Sequence, residues 1–321
     1  MRKLFKPFSS LRRLYKKVRS VRLAYTLLPD IFTPSVTTSV KSQKGNIILE
    51  NPRRVYTKRQ ISLFGGHGEL LLKFLKSSNI SFVQSDGDAE RISVRVNEKT
   101  IVLYVYNYDT LRVIEEIFID QLYDFRKKGD FVVVDVGMNI AAAALYFASF
   151  DTVEHVYGFE PFPETFKLAE KNISYNEPLN NKIKAYNSGL GPRDHTLEVP
   201  KPGDGSLGGT TTEFFINEAY NSLKANNITV EIKDICKVLE DIKRKHANKK
   251  IILKLDCEGA EYEIIEALEQ KGMLKEIDIY MVEYHFKGKQ TIANSLIKND
   301  FTVMTPGSEE VNPFGMLYAI K

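Results

Sequence analysis

Two carboxylates stand out by position. Asp135 closes the apolar run Phe131-Val132-Val133-Val134, and Glu160 closes Val156-Tyr157-Gly158-Phe159. After Asp135 the chain reads Val136-Gly137-Met138-Asn139-Ile140, an apolar strand turning through glycine into a helix. An acid at the end of each of two successive strands suits a ribose diol and an ammonium group, as in a nucleotide-like cofactor. Gly137 lets the backbone pass close to a ligand. Asn139 is placed to cap a helix continued by Ile140 to Ser149, and ligand groups gather at such an N-terminus. A second constellation lies later: Asp256 and Glu258 follow the apolar run Ile251 to Leu255, and Glu283 and His285 follow Ile279 to Val282. Imidazole titrates near neutrality, so His285 is the candidate general base, with Asp256 or Glu283 orienting or replacing it. The same carboxylates could hold a divalent cation through oxygen, although nothing in their spacing demands one.

Alternating strands and helices must position these groups. Candidate strands at 131–136, 155–160, 182–188, 251–256, 278–284, 300–304 and 316–320 are separated by helical patterns. One begins at Pro163 and carries Phe166, Ala169 and Ile173 on one face; another carries Ala260, Ile264 and Leu268. This rhythm implies an α/β fold with a doubly wound, mostly parallel sheet, whose ligands lie beyond the carboxyl ends of the strands. Residues 193–235 break the rhythm with a short strand at Thr196 to Val199 and a Gly/Pro loop at Pro202 to Gly209, then a helix and strand leading to Ile235. They read as an insertion over the active face, with Gly203 to Thr212 as a polar lid. Upstream, residues 30–60 look like a connector with one short strand at Asn46 to Leu49. A helix at 68–76 and three alternating strands, Ser81 to Val83, Arg91 to Val96 and Thr100 to Val105, follow, with turns at Asp86-Gly87 and Asn97-Glu98. Leu111 to Phe125 reads as a helix. The expected divisions are 1–29, 30–125 as a small α+β cap, and 126–321.

The 321 residues, 43% hydrophobic and 27% charged, suffice for a substantial core. No apolar run approaches the roughly 20 residues that cross a bilayer, and no cleavable signal segment stands out, so a cytoplasmic protein is expected. The two cysteines, Cys236 and Cys257, are too few for a disulfide framework and too far apart for a zinc pair, and read as reduced packing residues. Residues 1–29 hold nine basic side chains and no acid, with Leu4, Phe8, Leu11, Tyr15 and Val18 on one helical face. Such a helix fits an anionic membrane or another polyanion, or packing on the domain with a solvated basic face; a mitochondrial presequence is a third reading, though such segments are richer in serine. Beyond residue 22 no basic stripe with interleaved aromatics recurs, so nucleic acid is not an expected partner.

Four ordered blocks carry a resemblance. They are Val134-Asp135-Val136-Gly137-Met138-Asn139-Ile140, Gly158-Phe159-Glu160-Pro161-Phe162-Pro163-Glu164, Ser188-Gly189-Leu190-Gly191 and Lys254-Leu255-Asp256-Cys257-Glu258-Gly259-Ala260-Glu261. Over about residues 100–321 the chain resembles the FkbM-type S-adenosylmethionine-dependent methyltransferases, whose corresponding motifs are VDIGANIG, FEPNPE, ALGD and KIDVEGAE. The resemblance implies the seven-stranded class I methyltransferase fold. It implies that Asp135, Gly137 and Asn139 surround the methionine part of the cofactor, with Tyr123 at its carboxylate end. Glu160 would accept the ribose hydroxyls, Pro161 and Phe162 would flank the adenine, and Ser188, Gly189 and Leu190 would line its other side. It also implies O-methylation of a small-molecule or glycan hydroxyl, with Asp256 near both cofactor and acceptor. With the basic N-terminal segment, a glycan or lipid-linked sugar at a membrane surface is the favoured acceptor class.

The chain departs from the family at Met138 and Ala141, where alanine and glycine are usual, and at Gly191-Pro192, where an acid follows the third strand. An inactive cofactor-binding scaffold would explain these departures. A nicotinamide-dependent oxidoreductase would explain the first turn and Glu160, but G-x-G-x-x-G is incomplete, since Asn139 and Ala142 replace its second and third glycines.

Overall fold

A computed structural model describes residues 39–43, 46–50, 54–65, 67–86, 89–125, 128–201, 227–306 and 312–321. The basic segment 1–29, the turn residue Gly87 and the lid Gly203 to Thr212 lie outside these residues. The fold divides into two units, residues 1–121 and 122–321.

In the first unit β1 (Ser39–Gln43), β2 (Asn46–Glu50) and β3 (Arg54–Thr57) form an antiparallel sheet in that order. The short strand expected at Asn46 to Leu49 is β2, and it is flanked by β1 and β3 where only a connector was expected. The two flanking strands are five and four residues long, too short to display a sustained period. Helix α1 (Lys58–Leu63) starts in a capping box, in which the Thr57 side chain accepts from Gln60 N–H and Gln60 Oε1 accepts from Thr57 N–H. Helix α2 (Gly68–Lys76) precedes a second antiparallel sheet of β4 (Ile80–Asp86), β5 (Ala89–Val96) and β6 (Lys99–Val105). Asn97 and Glu98 have φ of +48° and +63°, the two positive values of the mirror-image turn that suits a hairpin. Helix α3 (Tyr108–Ile114), capped by Asn107, runs into a π-helical turn over Glu115–Ile119. The helix ends there instead of reaching Phe125, because Asp120 N–H bonds back to Glu115 O and Gln121 turns left-handed at φ +56°.

The second unit holds a seven-stranded sheet in the order β15-β16-β14-β13-β7-β8-β9. Its strands are β7 (Phe131–Val136), β8 (Val153–Phe159), β9 (Ile183–Tyr186), β13 (Lys250–Leu255), β14 (Ile279–Tyr284), β15 (Thr302–Met304) and β16 (Gly315–Ile320). β16 runs antiparallel to both of its neighbours and the other adjacent pairs are parallel. This is a mostly parallel Rossmann-like sheet. Every residue of β7 is buried, as a continuous valine run in a parallel sheet requires. Helices α4 (Ala142–Ala148), α5 (Pro163–Ser174), α6 (Ile235–Lys245), α7 (Glu261–Gln270) and α8 (Gln290–Lys298) connect these strands. The main core joins Val132, Val134, Leu253 and Val282 to Leu239, Ile264, Leu268 and Leu296 of the helices. Each such side chain contributes roughly 1.5–3 kcal/mol by leaving water.

The expected third strand is shorter than 182–188. The chain leaves the main sheet after Tyr186, and β10 (Gly189–Gly191) joins β12 (Asn227–Asp234) and β11 (His195–Pro200) in a separate sheet ordered β10-β12-β11. Gly189 and Gly191 make room there for Ile232, since a Cβ on either would lie 2.8 Å from one of its methyl groups. Among the described residues, no helix is long and apolar enough to cross a membrane.

Candidate active site

Register brings the charged strand ends together. Lys254 on β13 pairs with Asp135 on β7, and Asp135 with Gly158 on β8. Side chains in one row of a parallel sheet project to the same face. Asp135 is fully buried, Lys254 is 2% exposed, and Lys254 Nζ lies 3.0 Å from Asp135 Oδ1. The same ammonium donates to Gly137 O at 2.7 Å and lies 3.4 Å from Asp256 Oδ2. Neither Asp135 oxygen has an aligned hydrogen-bond donor among the described residues. Burial pushes the Asp135 carboxyl up and Lys254 pulls it back. Burial also disfavours the Lys254 charge, but Asp135 and Asp256 outweigh it and hold the ammonium protonated above its ordinary range.

Beyond β7 the chain turns sharply. Gly137 has φ +76°, and a Cβ there would lie 1.7 Å from the carbonyl oxygen of Asp256. The glycine is thus dictated by the crossing of two strand-end loops of this chain. Asn139 does not cap the following helix. Its own φ is +53°, its Oδ1 accepts from Ile140 N–H at 2.8 Å, and its N–H is given to Glu160 Oε2 at 3.0 Å. The helix begins instead at Ala142 after Ala141, which sits left-handed at φ +65° with no side-chain cap. Met138 folds over the next strand, filling the space that a Cβ on Gly158 would need, with Sδ 2.2 Å from that position.

Glu160 is 4% exposed, and its two oxygens accept separately from Asn139 N–H and Phe162 N–H, both at 3.0 Å. Each oxygen keeps a further lone pair. Burial pushes this carboxyl up to about 7 despite the two backbone donors. Asn187, outside every motif, donates through Nδ2 to the carbonyls of Glu160 and Pro161 at 2.9 and 3.2 Å. Gly189 lies beside Pro161, where a Cβ would be 3.5 Å from the proline Cβ. Ser188 is 3% exposed, and Leu190 packs in the main core. The Phe162 ring is buried with Val199, Val230 and Ile232, packed against the smaller sheet.

The second constellation gathers at the ends of β13 and β14. His285 Nε2 lies 4.0 Å from both Asp256 Oδ1 and Glu283 Oε1. His285 Nδ1 faces Glu261 Oε1 at 3.1 Å, and the same oxygen accepts the His285 backbone N–H at 2.7 Å. Tyr123 is 3% exposed, and its hydroxyl donates to Asp256 Oδ2 at 3.4 Å. Burial alone would lower the His285 pKa, but the hydrogen bond and charge of Glu261, with Glu258 and Asp256 nearby, raise it to about 9. Glu261 thus favours the protonated ring of His285. Phe286 and Phe314, 37% and 45% exposed, flank His285 with ring centroids 5.3 Å apart. Burial raises the Cys257 thiol well above its ordinary range, and its Sγ lies 3.5 Å from Glu261 Oε2, as suits a packing residue.

Lys254 and Glu261 are buried charged groups of the site that reasoning from residue type did not single out. The signal was present: Lys254 interrupts the apolar run Ile251-Ile252-Leu253 on a fully covered strand, where a charge needs a buried partner. Glu261 reads as an ordinary first-turn acid, yet it is wholly buried and reaches across to β14.

A sequence model of the methyltransferase FkbM domain matches residues 135–303. Methyltransferase 1 of Beauveria bassiana (strain ARSEF 2860) is 29% identical over 167 residues, 49% of this chain and 66% of that protein. Methyltransferase sdnD of Sordaria araneosa is 26% identical over 204 residues, 57% of this chain and 75% of that protein. The crystal structure of methyltransferase FkbM from Methylobacillus flagellatus KT is 12% identical with a TM-score of 0.40; the match covers 67% of this chain and 54% of that one. The chain thus spans only about half to two thirds of the length of two of these relatives.

Proposed function

The chain belongs to the FkbM methyltransferase family, and on that footing we propose that it transfers a methyl group from S-adenosylmethionine to a hydroxyl oxygen of a sugar or related natural product. The observation that carries the cofactor reading is Glu160. A carboxylate this buried, fixed by two backbone donors and with a lone pair left on each oxygen, is prepared to accept a vicinal diol. Asp135, buried beside the Gly137 turn with Oδ1 paired to Lys254 and no donor on Oδ2 among the described residues, fits the same ligand. S-adenosylmethionine, when bound, supplies a methyl group on a cationic sulfur.

The chain's own residues have three tasks. Glu160, Asn139 and the Gly137 turn hold and orient the cofactor. Lys254 neutralises Asp135 and fixes Asp256 in place. Asp256 and Glu283, 30% and 31% exposed, take the proton of the acceptor hydroxyl while the imidazolium of His285 lies between them. Positioning accounts for most of the acceleration in such a displacement. The exposed rings of Phe286 and Phe314 support a flat acceptor face, as a sugar or polyketide ring offers. The basic segment 1–29 favours a glycan or lipid-linked sugar at an anionic membrane surface as the acceptor.

Isothermal titration calorimetry with S-adenosylmethionine, S-adenosylhomocysteine and NAD tests the cofactor reading. Micromolar binding of both adenosyl ligands is expected, lost in Glu160→Ala and absent for NAD. Binding of NAD alone would overturn the reading. Incorporation of labelled methyl across a panel of sugar acceptors then identifies the substrate.

A further inference from the structure

The cluster beyond β13 and β14 does more than hold a proton. We propose that Asp256, Glu283 and His285 form a binding site for a divalent cation of the manganese type, one that takes carboxylate oxygen together with imidazole nitrogen. One ligand atom from each residue lies within 4.8 Å of the other two, and two of the separations are 4.0 Å. Ligand atoms about 2.1 Å from a shared ion are at most about 4.2 Å apart, so small side-chain rotations close the set.

The second observation concerns His285. Its side chain is 9% exposed, and Nε2 makes no hydrogen bond among the described residues while pointing at the two carboxylates. Nδ1 is taken by Glu261, a carboxylate outside the cluster that is itself wholly buried and anchored by Gly259 N–H at 2.9 Å. That is the arrangement in which a second carboxylate fixes the ring of a metal-ligating histidine. A histidine present only for packing would explain Nδ1, whereas Nε2 faces two carboxylates at 4.0 Å, too far for a hydrogen bond to either.

The carboxylates are sorted in the same way. Lys254 and Tyr123 occupy Asp256 Oδ2, which leaves Oδ1 facing His285. A cation there would replace the Nε2 proton and supply the positive charge that four neighbouring acids, Asp256, Glu258, Glu261 and Glu283, call for. Asp256 and Glu283 are partly open to solvent, so a further oxygen can approach. If the methyl-transfer reading above holds, that oxygen is the acceptor hydroxyl, whose acidity the cation would raise.

The test is titration of the full chain with Mn²⁺, followed by the electron paramagnetic resonance signal of free Mn²⁺, alongside calorimetry with S-adenosylhomocysteine on the same preparations. One saturable Mn²⁺ site per chain is expected, weakened at least tenfold in Glu283→Gln and Asp256→Asn, and about 10–100-fold in Glu261→Gln. Should the variant of the buried Glu261 misfold, Glu283→Gln and Asp256→Asn decide, because both side chains reach solvent. No stoichiometric Mn²⁺ site in the folded wild type, or unchanged affinity in Glu283→Gln, overturns the proposal. Binding of S-adenosylhomocysteine without a Mn²⁺ site removes the cation and leaves the methyltransferase reading intact. A Mn²⁺ site without adenosyl binding supports the cation site and removes its part in methyl transfer.

Discussion

Lys254 Nζ sits 3.0 Å from Asp135 Oδ1 in the middle of the main sheet, with both side chains sealed from water. The pair ties β13 to β7 and, through Gly137 O and Asp256, reaches both ends of the site. Such a pair is costly to bury and costlier to break, because removing one partner strands the other charge.

Lys254→Met should therefore lose about 3–5 kcal/mol of stability, read from urea unfolding. Adding Asp135→Leu should restore at least half of that loss. A loss below about 1 kcal/mol in the single variant would mean that Asp135 folds in its neutral form.

The buried Glu160 carboxyl, held at about 7, makes binding and stability respond to pH in opposite directions. Its folded pKa lies above the ordinary 4.5, so its contribution to stability is fully present below that value and is lost as pH rises through about 7. In the proposed role of Glu160 as acceptor of ribose hydroxyls the ionised form binds, so affinity for S-adenosylhomocysteine should fall roughly three- to tenfold between about pH 8 and pH 6. Glu160→Gln, which turns an amide N–H toward a backbone N–H, should cost about 1–3 kcal/mol of stability. It should also flatten the pH dependence of calorimetric affinity; an unchanged profile would place the titrating group elsewhere.

Gly137 and Gly272 share a left-handed backbone but not surroundings. A Cβ at Gly272, φ +67°, meets nothing within 4 Å, whereas at Gly137 it meets the Asp256 carbonyl. Gly272→Ala should cost only about 1–2 kcal/mol. Gly137→Ala should cost well above about 3 kcal/mol or abolish soluble expression. Equal thermal midpoints for the two variants would refute the crossing.

Ala141 holds φ +65° with a Cβ that disfavours it. Ala141→Gly should raise stability by up to about 1 kcal/mol, the strain relieved being partly offset by the freer unfolded chain. A lower thermal midpoint in differential scanning calorimetry would show that the alanine methyl is needed in the core.

The large sheet was legible because burial on both faces leaves unbroken runs such as Val132-Val133-Val134 and Ile251-Ile252-Leu253, whose ends are marked by acids. The elements that sequence missed carry weak local signals. β1 and β3 are too short for a period, and the Gly189–Gly191 strand is defined by what Ile232 covers. The ending of the helix at Ile119 depends on one bond from Asp120 to Glu115. In the site, the positions of Asp256, Glu283 and His285 followed from adjacent strand ends, but the protonation of His285 did not. That is decided by Glu261, from a different element, and residue type alone carries no information about such a partner.

Met138 and Gly158 act as one unit. The methionine side chain lies where a Cβ on residue 158 would fall, so a side chain at 158 has room only when Met138 turns aside or is shortened. The two positions are therefore coupled, and the effect of changing one depends on which residue occupies the other.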